Sequence, residues 1–273
     1  MSEPGIAWLP GGRLHLSEGP IDLICQAEGP DARRALEQAV RAMRGLLAGL
    51  AAELPLLRAP LTAEVEPTHP VARLMVEACR PHAARHFITP MAAVAGSVAQ
   101  YILSAMLEGN QLARAYVNNG GDIALHLASG QSLAIGLVRD LAAARPEGRV
   151  VIEAHQPIRG VATSGWPGRS FSLGIAEAVT VLAPTAAMAD AAASMIANAV
   201  NAEHPAITRS PACDLCPDSD LGDRLVTTHV GPLPPELVDS ALRLGLAEAA
   251  HLRDAGLIVD ALLCCQGRIE ALG

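Results

Sequence analysis

The stretch that bears most on the fold is Gly160 to Val200, GVATSGWPGRSFSLGIAEAVTVLAPTAAMADAAASMIANAV. It contains a polar turn at Thr163-Ser164-Gly165, a strand predicted over Ala178–Leu182, and an alanine-rich helix predicted to begin near Asp190. Hydroxyl groups and a glycine before a strand, followed by an acid at the start of a helix, suit a phosphate or a metal-bridged phosphate. No residue in this stretch indicates a particular reaction.

The composition limits both the core and the chemistry. Of 273 residues, 51% are hydrophobic but only 2% are aromatic, so the core must be built mainly from alanine, valine, leucine and isoleucine. All 20 basic residues are arginines, which excludes a Schiff-base lysine and the lysine of a P-loop. The net charge of −8 argues against nucleic-acid binding, because neutralising phosphates needs a basic surface.

The chain shows the features of a cytoplasmic protein. No secretory leader pattern opens it, and its six cysteines do not form a secreted disulfide framework. One uncharged segment, Ile88–Leu107, is about long enough to cross a bilayer. Its apolar residues are mainly alanine and it contains Pro90 and Gln100, so we expect a buried helix there. We therefore predict a cytoplasmic protein that binds neither membrane nor nucleic acid.

Helical and strand patterns both occur along the chain. Apolar residues recur every three or four positions in the predicted helices and at every second position in the predicted strands. This predicts an α+β fold in which antiparallel sheets pack against alanine-rich helices. A helix-then-strands order occurs twice, which suggests an internal duplication. We expect a single domain over residues 1–273, which could comprise two closely packed halves of about residues 1–110 and 111–273.

The first candidate ligand site is Asn118-Asn119-Gly120-Gly121-Asp122, between two predicted strands. Paired glycines allow positive φ angles and let a ligand approach the backbone closely. The same sequence is also typical of a hairpin turn, in which Asp122 would only cap the turn. The second candidate is Thr163-Ser164-Gly165, whose alternative is an ordinary polar turn. Ser164 lacks the G-x-S-x-G context of a nucleophilic serine.

Asp190 and Ser194 form a candidate metal site. They lie four residues apart on a predicted helix and therefore on one face. A carboxylate and a hydroxyl are oxygen ligands of the kind that Mg²⁺ prefers. The alternative is that Asp190 is an N-cap acid that satisfies free amides at the start of its own helix.

Cysteines suggest a further hypothesis. The pair Cys213-x-x-Cys216 could be a redox pair, or half of a zinc site completed by Cys264-Cys265. Adjacent cysteines are awkward partners on one tetrahedral metal, and buried thiols in an apolar strand are common. Unreactive surface thiols are therefore the alternative.

Two other polar groups are interpreted structurally. His82 and His86 are one helical turn apart, which predicts a surface histidine pair more readily than a transition-metal site. The acids Asp214, Asp218, Asp220 and Asp223 lack the spacing of an EF-hand. They predict a solvated loop rather than a calcium site.

Taken together, several segments resemble the ApbE superfamily, and most closely its small branch of ApbE-like proteins rather than the flavin transferases. The resembling segments are FITPMAAVAGSVAQYILSAM, YVNNGGDIAL, GVATSG, FSLGIAEAVTVLAPTAAMADAAASMIANAV and PDSDLGDRLVTTHVG, which cover most of residues 87–231. The resemblance implies an ApbE-like fold and FAD or FMN as the ligand. It also implies that NNGGDI contributes to the flavin nucleotide pocket and that Asp190 and Ser194 hold Mg²⁺ beside the pyrophosphate.

The chain departs from the transferases at the positions that carry their chemistry. Ala95 and Gln100 stand where the transferases have a lysine and an aspartate. The Trp166–Glu177 connection contains none of the histidine segment that precedes the next strand in the transferases. The resemblance therefore does not imply transfer of FMN onto a protein threonine, and no catalytic residue is assigned.

Three functional hypotheses follow. The first is an ApbE-like protein that binds a flavin or another nucleotide-like ligand together with Mg²⁺. The second is an accessory protein in cytosolic handling of sulfur between sulfide and homocysteine, with Cys213 and Cys216 as the candidate groups. The third is a scaffold without chemistry, in which alanine-rich helices such as Ala186–Ala199 could form a homodimer interface.

Overall fold

The computed structural model describes residues 4–62, 66–138 and 146–273. In this part of the chain eight α-helices are found: α1 Ala32–Met43, α2 Leu46–Ala52, α3 Leu54–Leu57, α4 Pro70–Cys79, α5 Val94–Leu107, α6 Ala186–Ala199, α7 Ala212–Leu215 and α8 Pro235–Asp254. The strands are β1 Gly5–Leu9, β2 Arg13–Glu18, β3 Ile21–Glu28, β4 Arg114–Asn119, β5 Asp122–Leu127, β6 Ser132–Val138, β7 Pro146–Glu153, β8 Gly160–Ser164, β9 Ala178–Ala183, β10 Ile207–Pro211, β11 Leu225–Val230, β12 Asp260–Cys265 and β13 Arg268–Ala271.

One antiparallel sheet organises these described elements. Its nine strands lie in the order β1-β2-β3-β4-β5-β8-β9-β12-β13, while β6–β7 and β10–β11 form separate two-stranded ribbons. Strands from both halves of the chain alternate with helices around this sheet, so the predicted α+β class with antiparallel pairing is confirmed. A division into two duplicated halves stays a prediction.

The two faces of the central strands pack against different partners, as the two-residue period of a strand requires. Ala115 and Val117 of β4 lie in a core cluster with helices α1 and α5. Leu125 and Leu127 of β5 pack on the other face against Ile152 of the β6–β7 ribbon. A second large cluster joins α6 and α8 to strands β8, β9 and β12. The helices therefore cover one face of the sheet, and the site described below lies where α5 and α6 meet it.

Alanine and glycine let α5 and α6 approach closely. Nine of the 14 residues of α6 are buried, and seven of them are alanines. A Cβ added to Gly96 in α5 would lie 2.3 Å from the carbonyl oxygen of Ala186. The segment Pro90–Leu107, which includes α5, is the one described helical segment apolar and long enough to cross a membrane, with a mean hydropathy of 1.4. Half of it is buried within the protein, where α5 packs between the sheet and the neighbouring helices.

The start of α6 differs from the sequence prediction. The helix begins at Ala186, and the Thr185 side chain accepts a hydrogen bond from the backbone N–H of Met188. Asp190 is therefore in the second turn, and the prediction that it begins or caps its own helix is wrong. The physical reason is that Thr185 is itself a good N-cap and is followed by alanines, which are strong helix formers.

Candidate functional site

The Asn118–Asp122 sequence forms the hairpin turn between β4 and β5. Asn119 pairs with Asp122 across the hairpin, and the two glycines have φ angles of 65° and 119°. The side-chain oxygen of Asn118 accepts a hydrogen bond of 2.8 Å from the N–H of Gly121. The hairpin interpretation is therefore confirmed, and the turn fixes Asp122 as the first residue of β5.

Asp122 lies beside the end of β8. The backbone N–H of Thr163 hydrogen-bonds to its carboxylate, which favours the ionised form. Burial and the neighbouring charge of Asp190 oppose this effect and raise the pKa of Asp122 well above its usual value. Some surface of the side chain is still accessible to solvent. Asp122 is thus a deeply placed acid that a small ion or proton can still reach.

Asp190 caps a helix other than its own. Its Oδ2 accepts a hydrogen bond of 2.8 Å from the backbone N–H of Gly96 in the first turn of α5. Burial raises the pKa of Asp190 to about 7, although the N–H groups of Gly96 and Ala95 lower it. Desolvation therefore outweighs two favourable hydrogen bonds.

The capping between α5 and α6 is reciprocal. The side-chain oxygen of Gln100 in α5 accepts a hydrogen bond of 3.2 Å from the N–H of Ala187 in the first turn of α6. Each helix thus supplies an acceptor for free amides at the start of the other. Gln100 therefore has a structural role in this chain.

The juxtaposition of Asp122 and Asp190 is the main chemical feature of the site. Two carboxylates from distant parts of the chain lie close enough for the charge of Asp190 to raise the pKa of Asp122. Each keeps some accessible surface, yet surrounding protein atoms desolvate it enough to dominate its pKa. Such a pair is stabilised either by holding a proton or by binding a cation.

Residues that carry hydroxyl groups lie on the neighbouring elements β8 and α6. Thr163 and Ser164 end strand β8 instead of forming the predicted polar turn, and the Thr163 hydroxyl lies 2.9 Å from that of Thr180. Gly165 follows, and a Cβ there would lie 2.2 Å from the Glu177 carbonyl oxygen. Ser194 is one helical turn after Asp190 and is part-exposed, so both predicted metal ligands lie on one face of α6.

A hydrogen bond that the sequence did not predict joins the loop of acids at residues 214–223 to the segment before α5. The Thr89 hydroxyl donates a hydrogen bond to Asp220 just before the turn that leads into α5. Asp190 and Asp220 both raise the pKa of the buried Cys79 thiol, after desolvation. Asp220 is therefore a structural anchor near the site, while Asp214, Asp218 and Asp223 are exposed, as expected for a solvated loop.

Cys213 and Cys216 have no described hydrogen bond to Asp122, Asp190 or Asp220. Cys213 is in the short helix α7, and Cys216 follows it on the surface. A hydrogen bond from the Cys213 thiol to Asp223, 3.2 Å long, raises the pKa of the thiol. Among the described residues no group of three or more histidine, cysteine, aspartate or glutamate side chains could hold a metal ion. The zinc and redox interpretations of Cys213 and Cys216 stay predictions.

A second polar cluster lies between the end of α4 and α8. His86 Nε2 lies 2.8 Å from Oε1 of Glu248, and Arg85 lies 3.3 Å from the other oxygen of this buried carboxylate. His82 is only 2% exposed, so the prediction of a surface histidine pair is wrong for this residue. The reason is that α4 continues into a tight turn over Arg80–His82 that directs His82 towards the protein interior.

His82 should make the protein sensitive to acid. Burial, followed by the nearby His86, lowers its pKa from 6.5 to about 4. The unfolded chain therefore takes up a proton at a higher pH than the native protein, and stability falls as the pH drops from 6.5 towards 4. We expect His82 to account for about 2 kcal/mol of the stability lost between pH 7 and pH 4.5.

Urea unfolding of the unmodified protein and of His82→Gln at both pH values measures this contribution. The His82→Gln protein should lose correspondingly less stability on acidification. An identical loss in the two proteins would show that His82 does not titrate as described. His155→Gln is the matched control, because it makes the same substitution at an exposed histidine.

Comparison with known proteins gives consistent matches. A family model described as "AbpE bacteria" matches residues 6–271. A UPF0280 protein of Methanopyrus kandleri is 30% identical over 244 residues, which cover 85% of this chain and 94% of the relative. UPF0280 proteins of Methanothrix thermoacetophila and Methanothermobacter thermautotrophicus are 39% and 36% identical over 44% and 48% of this chain. In these two matches the chain spans about half of the relative, 49% and 48% of its length.

Proposed function

The chain belongs to the uncharacterised protein family described as "AbpE bacteria", and on that premise we propose that it binds a nucleotide-like ligand together with a divalent cation. The cation, Mg²⁺, would lie at Asp122 and Asp190. The narrower form of the proposal takes a flavin, FAD or FMN, as the ligand, in line with the resemblance of the sequence to the ApbE superfamily.

The observation that carries the proposal is the neighbouring pair of desolvated carboxylates, Asp122 and Asp190. Burial disfavours ionisation of both acids, and the charge of Asp190 further disfavours ionisation of Asp122. A bound divalent cation reverses this electrostatic penalty. The pair is also part-accessible, as an exchangeable ion requires.

The oxygen groups around the pair suit Mg²⁺. Asp122 and Asp190 offer carboxylates, and Ser194 offers a hydroxyl one turn along the same helix as Asp190. Mg²⁺ is a hard cation that is usually bound by one or two protein carboxylates while ligand phosphates and water complete its coordination. When bound, it would neutralise phosphate charge and orient the ligand.

The glycine and hydroxyl groups are suited to the rest of the ligand. Asn118, Asn119, Gly120 and Gly121 form a turn whose glycines leave the backbone uncovered, and a Cβ on Gly121 would meet no atom within 4 Å. Thr163 is exposed and Ser164 part-exposed at the end of the adjacent strand β8. These residues, with Gly165, are the proposed ligand contacts.

We do not extend the proposal to FMN transfer. Ala95 has no functional group, and Gln100 is engaged as a cap of α6. A role in sulfur handling is less favoured, because the hydrogen bond to Asp223 opposes formation of the reactive thiolate at Cys213. The cytoplasm is the proposed location, since thiols stay reduced there.

Cation binding should depend on pH in a defined direction. A carboxyl group with a pKa of about 7 is mostly protonated at pH 6, and Mg²⁺ must displace that proton. We therefore expect the Mg²⁺ affinity measured by calorimetry to be about tenfold higher at pH 8 than at pH 6, with proton release on binding. Equal affinities at the two pH values, or no binding at pH 8, would contradict the proposed cation site.

The ligand is tested separately. FAD and FMN fluorescence is titrated with protein at pH 8, with Mg²⁺ or with EDTA. Saturable quenching that requires Mg²⁺ and is weakened in Asp190→Asn would support the flavin form of the proposal. Mg²⁺ binding without any flavin binding would exclude flavin while leaving the cation site in place.

A further inference from the structure

Arg169, in the connection between β8 and β9, lies close to the Gly120–Gly121 turn. The backbone of this connection is held by hydrogen bonds from Trp166 N–H to the Ala176 oxygen and from Gly168 N–H to the Gly165 oxygen, both 3.0 Å. Arg169 follows directly. Its Nη1 lies 3.5 Å from the position that a Cβ on Gly120 would occupy. The guanidinium group therefore lies against the β4–β5 hairpin two residues before Asp122.

Arg169 makes no stabilising contact that would explain this position. Within residues 4–62, 66–138 and 146–273 it has neither a hydrogen bond nor an ion pair, and it is exposed. Arg114 and Arg159, by contrast, are engaged: Arg114 pairs with Glu28, and Arg159 donates to three backbone carbonyls. An unpaired guanidinium beside a glycine turn is available for a ligand.

The space next to Arg169 is open. At Gly120 the arginine is the one group within 4 Å of an added Cβ, and at Gly121 there is none. The lack of side chains on the turn lets a ligand lie between the backbone and the guanidinium group. Asp122 comes directly after this turn, with Asp190 close to it, and both side chains are acids. A ligand that contacts both Arg169 and the two acids would be anionic. It would bind directly to Arg169 at one point, and through a cation to the acids at another.

We propose that Arg169 is an anion-recognition residue, which binds a phosphate or carboxylate group of the ligand over the Gly120–Gly121 turn. The planar guanidinium matches such groups with two parallel hydrogen bonds, whereas a lysine would offer only a point charge. This inference rests on the proposed function for the ligand's second contact, the cation at Asp122 and Asp190. The contact with Arg169 does not itself require the cation.

The test compares Arg169→Gln and Arg169→Lys with Arg243→Gln. Arg243 is an exposed arginine of α8, so its replacement makes the same change in net charge away from the site. Inorganic pyrophosphate and citrate are titrated calorimetrically into each protein, with and without Mg²⁺. The two probes distinguish phosphate from carboxylate recognition.

We expect Arg169→Gln to weaken binding of the preferred anion about 10-fold to 100-fold, which is the usual worth of a charge-assisted contact. Arg169→Lys should fall between Arg169→Gln and the unmodified protein, and Arg243→Gln should bind normally. Thermal unfolding of all variants should remain similar, because Arg169 has no hydrogen bond or ion pair within the described residues.

The remaining outcomes separate this inference from the proposed function. Equal anion binding by the unmodified and Arg169→Gln proteins, or no binding of either anion by the unmodified protein, would overturn the role of Arg169. Anion binding that depends on Arg169 but is unaffected by Mg²⁺ would support Arg169 and count against the cation site. Mg²⁺ binding, together with anion binding that does not depend on Arg169, would support the cation site and count against the role of Arg169.

Discussion

Replacing Asp190 by asparagine should make the metal-free protein about 2 to 4 kcal/mol more stable at pH 8, while leaving its stability at pH 4 nearly unchanged. The carboxyl group has a pKa of about 7 in the folded protein against 3.8 for the free side chain. The native state therefore holds a proton that the unfolded chain has lost, and stability falls as the pH rises from 3.8 through 7. An amide has no such titration.

Asparagine preserves the structural contact. Its side-chain oxygen can still accept the hydrogen bond from Gly96, so the amide groups at the start of α5 remain satisfied. Asp190→Ala removes that acceptor and should be about 1 to 2 kcal/mol less stable than Asp190→Asn at both pH values. Both variants should lose Mg²⁺ binding. The comparison thus separates the capping role of Asp190 from its role in binding the cation.

Chemical unfolding in EDTA at pH 4 and pH 8 measures these differences. If Asp190→Asn is less stable than the unmodified protein at pH 8, the carboxylate is not electrostatically unfavourable there. In that case desolvation does not dominate the surroundings of Asp190, and a cation is not needed to stabilise its carboxylate.

Replacing Gly96 by alanine should destabilise the protein by about 3 kcal/mol or more. On an isolated helix alanine is better than glycine by about 1 kcal/mol. Here the new Cβ would lie 2.3 Å from the Ala186 carbonyl oxygen and 2.9 Å from the Asp190 Cβ. Backbone atoms cannot move aside cheaply, so the steric cost exceeds the gain in helix propensity.

Gly148→Ala is the control for Gly96→Ala. Gly148 is exposed, and an added Cβ there meets no atom within 4 Å, so stability should change by less than about 0.5 kcal/mol. Thermal unfolding compares the two. A Gly96→Ala protein as stable as the control would show that α5 and α6 do not approach as closely as described. Mg²⁺ affinity should fall with Gly96→Ala, because Asp190 is displaced.

Local sequence patterns were sufficient for much of the fold. The strand predicted over Ala178–Leu182 is β9, and the Asn-Gly-Gly-Asp sequence predicted the β4–β5 hairpin, because these structures depend on short-range preferences. The start of α6 was misplaced because two helix-start signals, Thr185 and Asp190, are only five residues apart. The structure shows that Thr185 caps α6 and that Asp190 caps α5.

The centre of the candidate site depends on tertiary contacts that no local pattern encodes. Asp122 was assigned to the ligand and Asp190 to the metal, whereas the fold brings the two carboxylates together. The capping role of Gln100 and the approach of Arg169 to Gly120 likewise join residues far apart in sequence. The polar residue types were therefore identifiable in advance, but their pairing was not.

The most direct test of a cation at Asp122 and Asp190 is a calorimetric Mg²⁺ titration at pH 7 in two buffers of different ionisation enthalpy. The difference between the observed enthalpies gives the number of protons released. Displacement of the proton held by the carboxylate pair predicts release of about half a proton or more from the unmodified protein and no binding to Asp190→Asn. Binding without proton release, or unchanged binding by Asp190→Asn, would contradict it.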